Sequence, residues 1–230
     1  MKNKQVFVIS LGGSLIVPRT GIDWAFLKKF RKLILEQTKK GKKFYLVTGG
    51  GRTCRDYQEA AKKVVKVPDE DLDWLGIHSS RLNAHLIRTI FRDVAYPEVI
   101  KNPTIHFPET SKVVIGGGWK PGWSTDYVAT MIAQEYEIKT IVNLSNIDYA
   151  YNKDPKKFKD AEKIEDINWT EFRKIVGNKW KPGLNMPFDP IASLKASQLG
   201  LQVVIMNGKN MKNLENLLNE KKFKGTIIHN

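Results

Sequence analysis

The sequence predicts an α/β fold, a three-layer αβα sandwich around a mainly parallel central sheet. Three observations lead there. Short β-branched runs recur along the chain, helical patterns separate them, and three of the runs end directly in glycine. Strands that alternate with helices are joined by crossovers, and crossovers lay helices on both faces of a parallel sheet.

Taken in order, VFVIS at 6–10 reads as a buried strand that runs into Gly12 and Gly13. From Trp24 to Thr38, apolar residues stand at 24, 27, 30, 34 and 35, close to the 3.6-residue period of a helix. FYLVT at 44–48 is a second strand, and it ends at Gly49, Gly50 and Gly51. Helical patterns follow over 56–67 and 72–91. A third strand, KVVIGG at 112–117, opens the loop GGGWKPGWSTD. A helix over 126–136, a strand TIVNLS at 140–145, a helix over 191–199 and a strand VVIMN at 203–207 complete the pattern. Between Val176 and Pro190, Gly177, Pro182, Gly183 and Pro187 mark one long irregular loop, of a length that is often functional. No repeat, low-complexity tract or linker divides the chain, so its 230 residues suit one sizeable domain or two closely joined lobes.

Composition narrows the class. A hydrophobic share of 41% and a charged share of 27% are those of a globular protein. No apolar run approaches the roughly 18 residues of a membrane span, and the N-terminal apolar run passes into glycines rather than a cleavage site. The single cysteine, Cys54, permits no intrachain disulfide, and a cytoplasmic address is expected. The formal charge of +14 favours an anionic partner. However, the lysines come in pairs such as Lys28-Lys29 and Lys39-Lys40 on what read as outer helix faces. A solvated lysine-rich surface explains them as well. Nucleic-acid binding would need a clustered basic face, which the linear pattern does not display.

In open α/β sheets, ligands sit outside the carboxyl ends of the strands, and glycine there lets backbone N–H groups approach an anion. The glycines also suit plain strand-to-helix turns. Neither G-x-x-x-x-G-K-[ST] nor a G-x-G-x-x-G after the first strand is present. Several separated anion cradles remain, an arrangement that fits two phosphate-bearing molecules facing each other.

The blocks LGGS, GGGRTCR, DWLGIHSSRLNAHL, GGGWKPGWSTD, NIDYAYNKDPKKF and FDPIASLKASQLG, in that order from Val6 to Ile228, resemble the amino acid kinase family. Within it the likeness is to archaeal-type uridylate (UMP) kinases. The resemblance implies ATP and Mg²⁺ as cofactors and a nucleoside monophosphate, UMP, as phosphate acceptor. It also implies a homo-oligomer, a hexamer in the uridylate kinases. Residues 1–139 would form the acceptor-binding and oligomerisation lobe, and residues 140–230 the ATP-binding lobe.

Carried over residue by residue, Gly12, Gly13, Ser14, Gly51 and Arg55 would hold ATP phosphates, and Asn146, Tyr151 and Asp154 the adenosine end. Gly50, Asp73, Arg81 and the loop residues Gly118, Trp119, Pro121, Gly122, Trp123, Ser124 and Thr125 would meet the acceptor. Asp189, in FDP, would orient positive groups around the transferring phosphoryl. Each has a plainer alternative. Arg55 suits a surface position, Arg81 a structural ion pair, Asp73 the N-cap of the following helix and Asp189 a simple Asp-Pro cap. The two tryptophans suit either a nucleobase platform or a core or subunit contact.

Two positions depart from the family pattern. Many members carry a lysine directly before the first apolar-Gly-Gly turn, and this chain has Ser10. A hydroxyl donates a hydrogen bond but supplies no charge. Lys153 and Lys120 are the candidates to compensate. The other departure is Tyr149, where the family has glycine. These changes keep two alternatives open: a kinase of the same fold for another small phosphate or a carboxylate, and a catalytically weak nucleotide-binding regulator or storage protein.

Overall fold

The computed structural model describes residues 5–106, 110–155, 157–179 and 186–230. Its main sheet has eight strands in the order β3-β4-β2-β1-β5-β9-β10-β8. These are β1 (Val6–Leu11), β2 (Lys43–Thr48), β3 (Ala95–Ile100), β4 (Val113–Gly116), β5 (Thr140–Ser145), β8 (Asp166–Asn168), β9 (Gln202–Asn207) and β10 (Thr226–His229). Six neighbours from β3 to β9 run parallel, and β10 turns antiparallel to β9. The short strands β6 (Ala150–Tyr151) and β7 (Lys163–Ile164) form a separate antiparallel pair.

Alternation along the strands builds the sandwich. Ile9 and Leu11 of β1 and Phe44 and Leu46 of β2 enter one core with α1 (Gly13–Ile16), α2 (Trp24–Lys39), α4 (Asp69–Ile90) and α8 (Met211–Leu218). Val8 of β1 and Tyr45 and Val47 of β2 enter the other core, against α5 (Thr125–Glu135), α6 (Trp169–Val176) and α7 (Pro190–Gln198). Since side chains switch face at every residue, Ser10 lies on the α5 side. The sheet is continuous across residue 139 through the pairing of β1 with β5.

The expected strands and helices are present, with shifted bounds. The helix expected from 56 is α3 (Gly51–Val64), which starts directly on the glycine run, and the one expected from 72 is α4, which starts at Asp69. Asp73 is therefore inside α4 rather than at its cap, which is Pro68. The edge strands β3 and β8, strand β10 and the β6–β7 pair escaped the sequence pattern. In β3 the reason is Pro97, whose missing N–H suits only an edge. Residues 180–185 of the expected irregular loop lie outside the described residues. No described helix is long and apolar enough to cross a membrane.

Candidate active site

The carboxyl ends of β1, β2 and β5 converge at the head of the sheet. Gly12 N–H donates to Leu144 O at 2.9 Å and Gly49 N–H donates to Leu11 O at 3.0 Å, so the strand-end loops are tied backbone to backbone. The fit leaves no room for side chains. A Cβ on Gly13 would lie 2.1 Å from Gly51 N, and one on Gly51 would lie 2.4 Å from Gly13 O. Gly51 also has φ +67°, in the left-handed region. These glycines thus bring loops together as well as opening a cradle. The third run serves packing: a Cβ on Gly118 would lie 2.9 Å from Ile77 Cα of α4.

Above this junction lies a cleft of about 310 Å³. Its floor and walls include Ser10, Gly12, Gly13 and Ser14 from the first loop and Gly50, Gly51 and Arg55 from the second. Ser124, Thr125, Asp126, Asn143 and Asp189 close the far side. Arg55 stands one turn into α3, so its guanidinium can reach back over the strand ends. Next to it is a smaller cavity of about 140 Å³, with Gly50, Ser124 and Thr125 in common. Its walls are more apolar: Leu72, Ile77, Cys54 and Trp123, with Asp73 and Gln58 among them.

Ser124 caps α5 by accepting from Tyr127 N–H, which leaves the first turn of that helix pointing at the place where the cavities meet. Arg81 does not join them. Its Nε and Nη2 donate to the carbonyls of Gly118 and Trp119 at 2.9 and 2.8 Å, so it fastens the loop instead of meeting an anion or an acidic partner. Asp73 Oδ2 accepts from Gly122 N–H at 2.7 Å, fixing the turn through Pro121 and Gly122 from the other side. The aromatic rings separate into two positions. Trp123 lines the smaller cavity and lies against Tyr127, with ring centres 4.0 Å apart and planes tilted by 31°. Trp119 lies behind it at 6.2 Å and packs against the α5 core, with Lys120 Nζ 4.3 Å from its ring centre.

At the base of the cleft are two neighbouring carboxyls. Asp126 Oδ1 accepts from the Ser10 hydroxyl at 2.8 Å and from Asn143 Nδ2 at 3.3 Å, and Oδ2 accepts from Asp189 N–H at 3.2 Å. Burial, then the adjacent Asp189, push the Asp126 pKa up to about 7, against the opposing effect of the Ser10 and Asp189 donors. Asp189 caps α7, with Oδ1 accepting from Ala192 N–H at 2.7 Å, so its capping role holds. Its Oδ2 is buried with no hydrogen bond of normal geometry, and burial raises this pKa too. Asp126 was expected only through its backbone N–H, at the start of α5 facing the acceptor phosphate; its carboxyl and Asn143 were not among the expected site groups. The signal for Asn143 was a polar residue at the centre of an otherwise apolar strand, TIVNLS.

Eight expected residues line neither cavity: Arg81, Trp119, Pro121 and Gly122 at the third loop, and four others. Asn146 directly follows β5, whose last residue Ser145 lines the 310 Å³ cleft, and Tyr151 and Asp154 sit on or near β6. Lys153 is paired with Asp160 and lies over the Phe158 ring, outside the cleft. Tyr149 is held in the same region, with Lys163 Nζ 5.1 Å from its ring centre. In this structure neither Lys153 nor Lys120 lines the cleft beside Ser10: Lys153 is paired with Asp160 and Lys120 lies over Trp119.

The chain is 33% identical over 224 residues to a uridylate kinase of Methanospirillum hungatei, covering 96% of this chain and 93% of that protein. It is 30% identical to a uridylate kinase of Methanocorpusculum labreanum, covering 97% and 95%. Among solved structures, uridylate kinase from Archaeoglobus fulgidus superposes with a TM-score of 0.82 at 25% identity, covering 96% of this chain and 99% of that one. Residues 5–207 match the amino acid kinase family. With its strand-end glycine junction and paired cavities, the chain belongs to the amino acid kinase family.

Proposed function

We propose that the chain transfers the γ-phosphoryl group of ATP to UMP, giving ADP and UDP. One observation carries this reading: the two cavities meet at Gly50, Ser124 and Thr125, where a donor phosphate and an acceptor phosphate would face each other. Phosphoryl transfer asks a protein for positioning and charge stabilisation rather than a covalent intermediate. In this reading ATP places its phosphates in the larger cleft, beside Gly13, Gly51 and Arg55, and its adenosine toward Asn146, Tyr151 and Asp154. UMP lies in the smaller cavity with its phosphate at the N-terminus of α5. Trp123 gives its base a stacking wall, and Asp73 accepts from its ribose.

The chain is short of positive charge at the point of transfer. Ser10 supplies no charge, and its proton is directed to Asp126. Mg²⁺ fits here. It is held by one or two carboxylates together with substrate phosphates, and Asp189 Oδ2 is buried beside Asp126 with no hydrogen bond of normal geometry. Asp189 and Asp126 are thus the residues that would hold it, and bound there it would neutralise charge on the phosphates. Asn143 and Ser10 fix Asp126 through its Oδ1, while the α7 cap fixes Asp189.

A coupled ADP-release assay with ATP, Mg²⁺ and UMP, CMP, AMP, GMP, dTMP or isopentenyl phosphate tests the reading. Turnover with UMP well above every other acceptor is expected. Turnover confined to another acceptor, or nucleotide binding without turnover, would overturn it.

A further inference from the structure

The net charge of the chain is concentrated in one place. Segment 24–43 holds eight basic residues and one acidic residue, and segment 209–224 holds five and two, a net +10 of the chain's +14. The fold sets these segments side by side. α2 and α8 share one core, and Lys42 Nζ donates to Leu218 O and, at 3.1 Å, to Asn219 Oδ1, tying their carboxyl ends together. Lys40 and Lys221 both act on Glu215 electrostatically, which places the two lysine sets together. Lys42 and Lys43 are buried; the ten lysines that remain in the two segments are exposed.

At 100° per residue, Trp24, Lys28, Lys32 and Lys39 fall within an arc of about 80° on α2, opposite its buried Phe30 and Leu33. Trp24 is 71% exposed and its neighbour Ile22 55%. An indole and an aliphatic side chain at the edge of a lysine field are the composition of a membrane interface, with rings at headgroup depth and ammonium groups on the phosphates. The face offers nucleic acid less. Its one arginine, Arg31, is held by Ile90 O and Asp93, so no guanidinium fork is presented for bidentate phosphate or base contacts. Two adjacent helices on one layer of a sandwich also make a broad, level surface.

We propose that the α2–α8 face docks on an anionic lipid bilayer. The association is peripheral: lysines meet lipid phosphates and Ile22 and Trp24 enter the headgroup boundary. The face is the outer side of the helical layer, and none of its lysines lines the cleft, so docking leaves the cleft open. This inference is independent of the phosphoryl acceptor.

The test is sedimentation of the full chain with vesicles of phosphatidylcholine alone or mixed with phosphatidylglycerol. Binding only to the mixed vesicles, released near 1 M salt where the Debye length falls to about 3 Å, is expected. Each lysine near an anionic surface contributes about fivefold in partitioning, so the triple variant Lys28→Gln, Lys32→Gln, Lys39→Gln should lose about a hundredfold. Trp24→Ala should lose severalfold at unchanged salt dependence. Thermal melting shows that each variant is folded. No preference for anionic vesicles, equal binding by the folded triple variant, or displacement of the vesicles by single-stranded RNA through the same lysines would each overturn the proposal.

Discussion

The two cavities that meet at Gly50 are built from different materials. The larger has a backbone floor, at the tightly joined ends of β1, β2 and β5, where Gly13 and Gly51 stand too close for any side chain, with Arg55, Asp126 and Asp189 around it. Side chains make the smaller one: Trp123 from a loop, Cys54 and Gln58 from α3, and Leu72, Asp73 and Ile77 from α4. A backbone cradle depends on a few glycines and binds what all phosphates share. A side-chain cavity binds what distinguishes one acceptor from another, and it can vary one residue at a time.

The sharpest break of this contrast is Gly13→Ala. The added methyl group would meet Gly51 N and the Gly49 carbonyl, which are main chain and cannot rotate away. Melting should show a loss of about 3 kcal/mol or more, and kcat/KM should fall by about a thousandfold or more, since both loops shift. A variant with normal activity would mean that the junction does not shape the cleft.

A pair of truncations separates the cavities. Arg55→Ala should raise the ATP KM by roughly a hundredfold, as a charge-assisted phosphate contact is lost, and leave acceptor binding little changed. Trp123→Ala should raise the acceptor KM by about five- to a hundredfold, the range of a lost stacking contact of about 1–3 kcal/mol, with the ATP KM unchanged. Initial-rate kinetics with each substrate varied would reveal it if the two effects were exchanged or mixed.

The contrast also explains what was legible. Glycine runs at strand ends, the alternation of strands and helices and the order of six motif blocks are properties of the linear chain, and the fold and larger cleft follow from them. The smaller cavity is a tertiary product. Asp73 reads locally as a cap, and only the approach of α4 to the loop at Gly122 gives it a hydrogen bond there. Arg81 reads as an acceptor-binding candidate, and only the fold shows its guanidinium holding the carbonyls of Gly118 and Trp119. Asp126 looks like a first-turn acid that complements the dipole of α5, yet the fold turns it inward, onto Ser10, Asn143 and Asp189.

That inward turn makes stability depend on pH. Both carboxyls have folded-state pKa values raised above the unfolded ones, Asp126 to about 7. The folded chain then binds protons at these two sites that the unfolded chain has released, so their contribution to stability is fully present at acid pH and is lost between about pH 4 and 7. The slope from one such group is at most about 1.4 kcal/mol per pH unit. Ser10→Ala removes a donor that favours ionised Asp126 and should move the upper end of this window higher. Urea denaturation across that range checks it, and an unmoved window would show that the Ser10 hydroxyl does not govern the Asp126 proton.

The smallest effect is expected where the linear pattern pointed most directly to chemistry. Lys153 stands in NIDYAYNKDP, and in sequence it is a ready substitute for the cation absent at Ser10. In the fold it pairs with Asp160 and covers the Phe158 ring, and it lines neither cavity. A half-exposed ion pair contributes about 1 kcal/mol or less, so Lys153→Ala should change stability by that amount at most and kcat by less than about twofold. Loss of an active-site cation would instead cost about a hundredfold or more. The two outcomes are far enough apart for a single kcat measurement to decide between them. A hundredfold loss would mean that the β6–β7 segment moves onto the cleft when nucleotide binds, and that the side-chain contribution to this site extends beyond the smaller cavity.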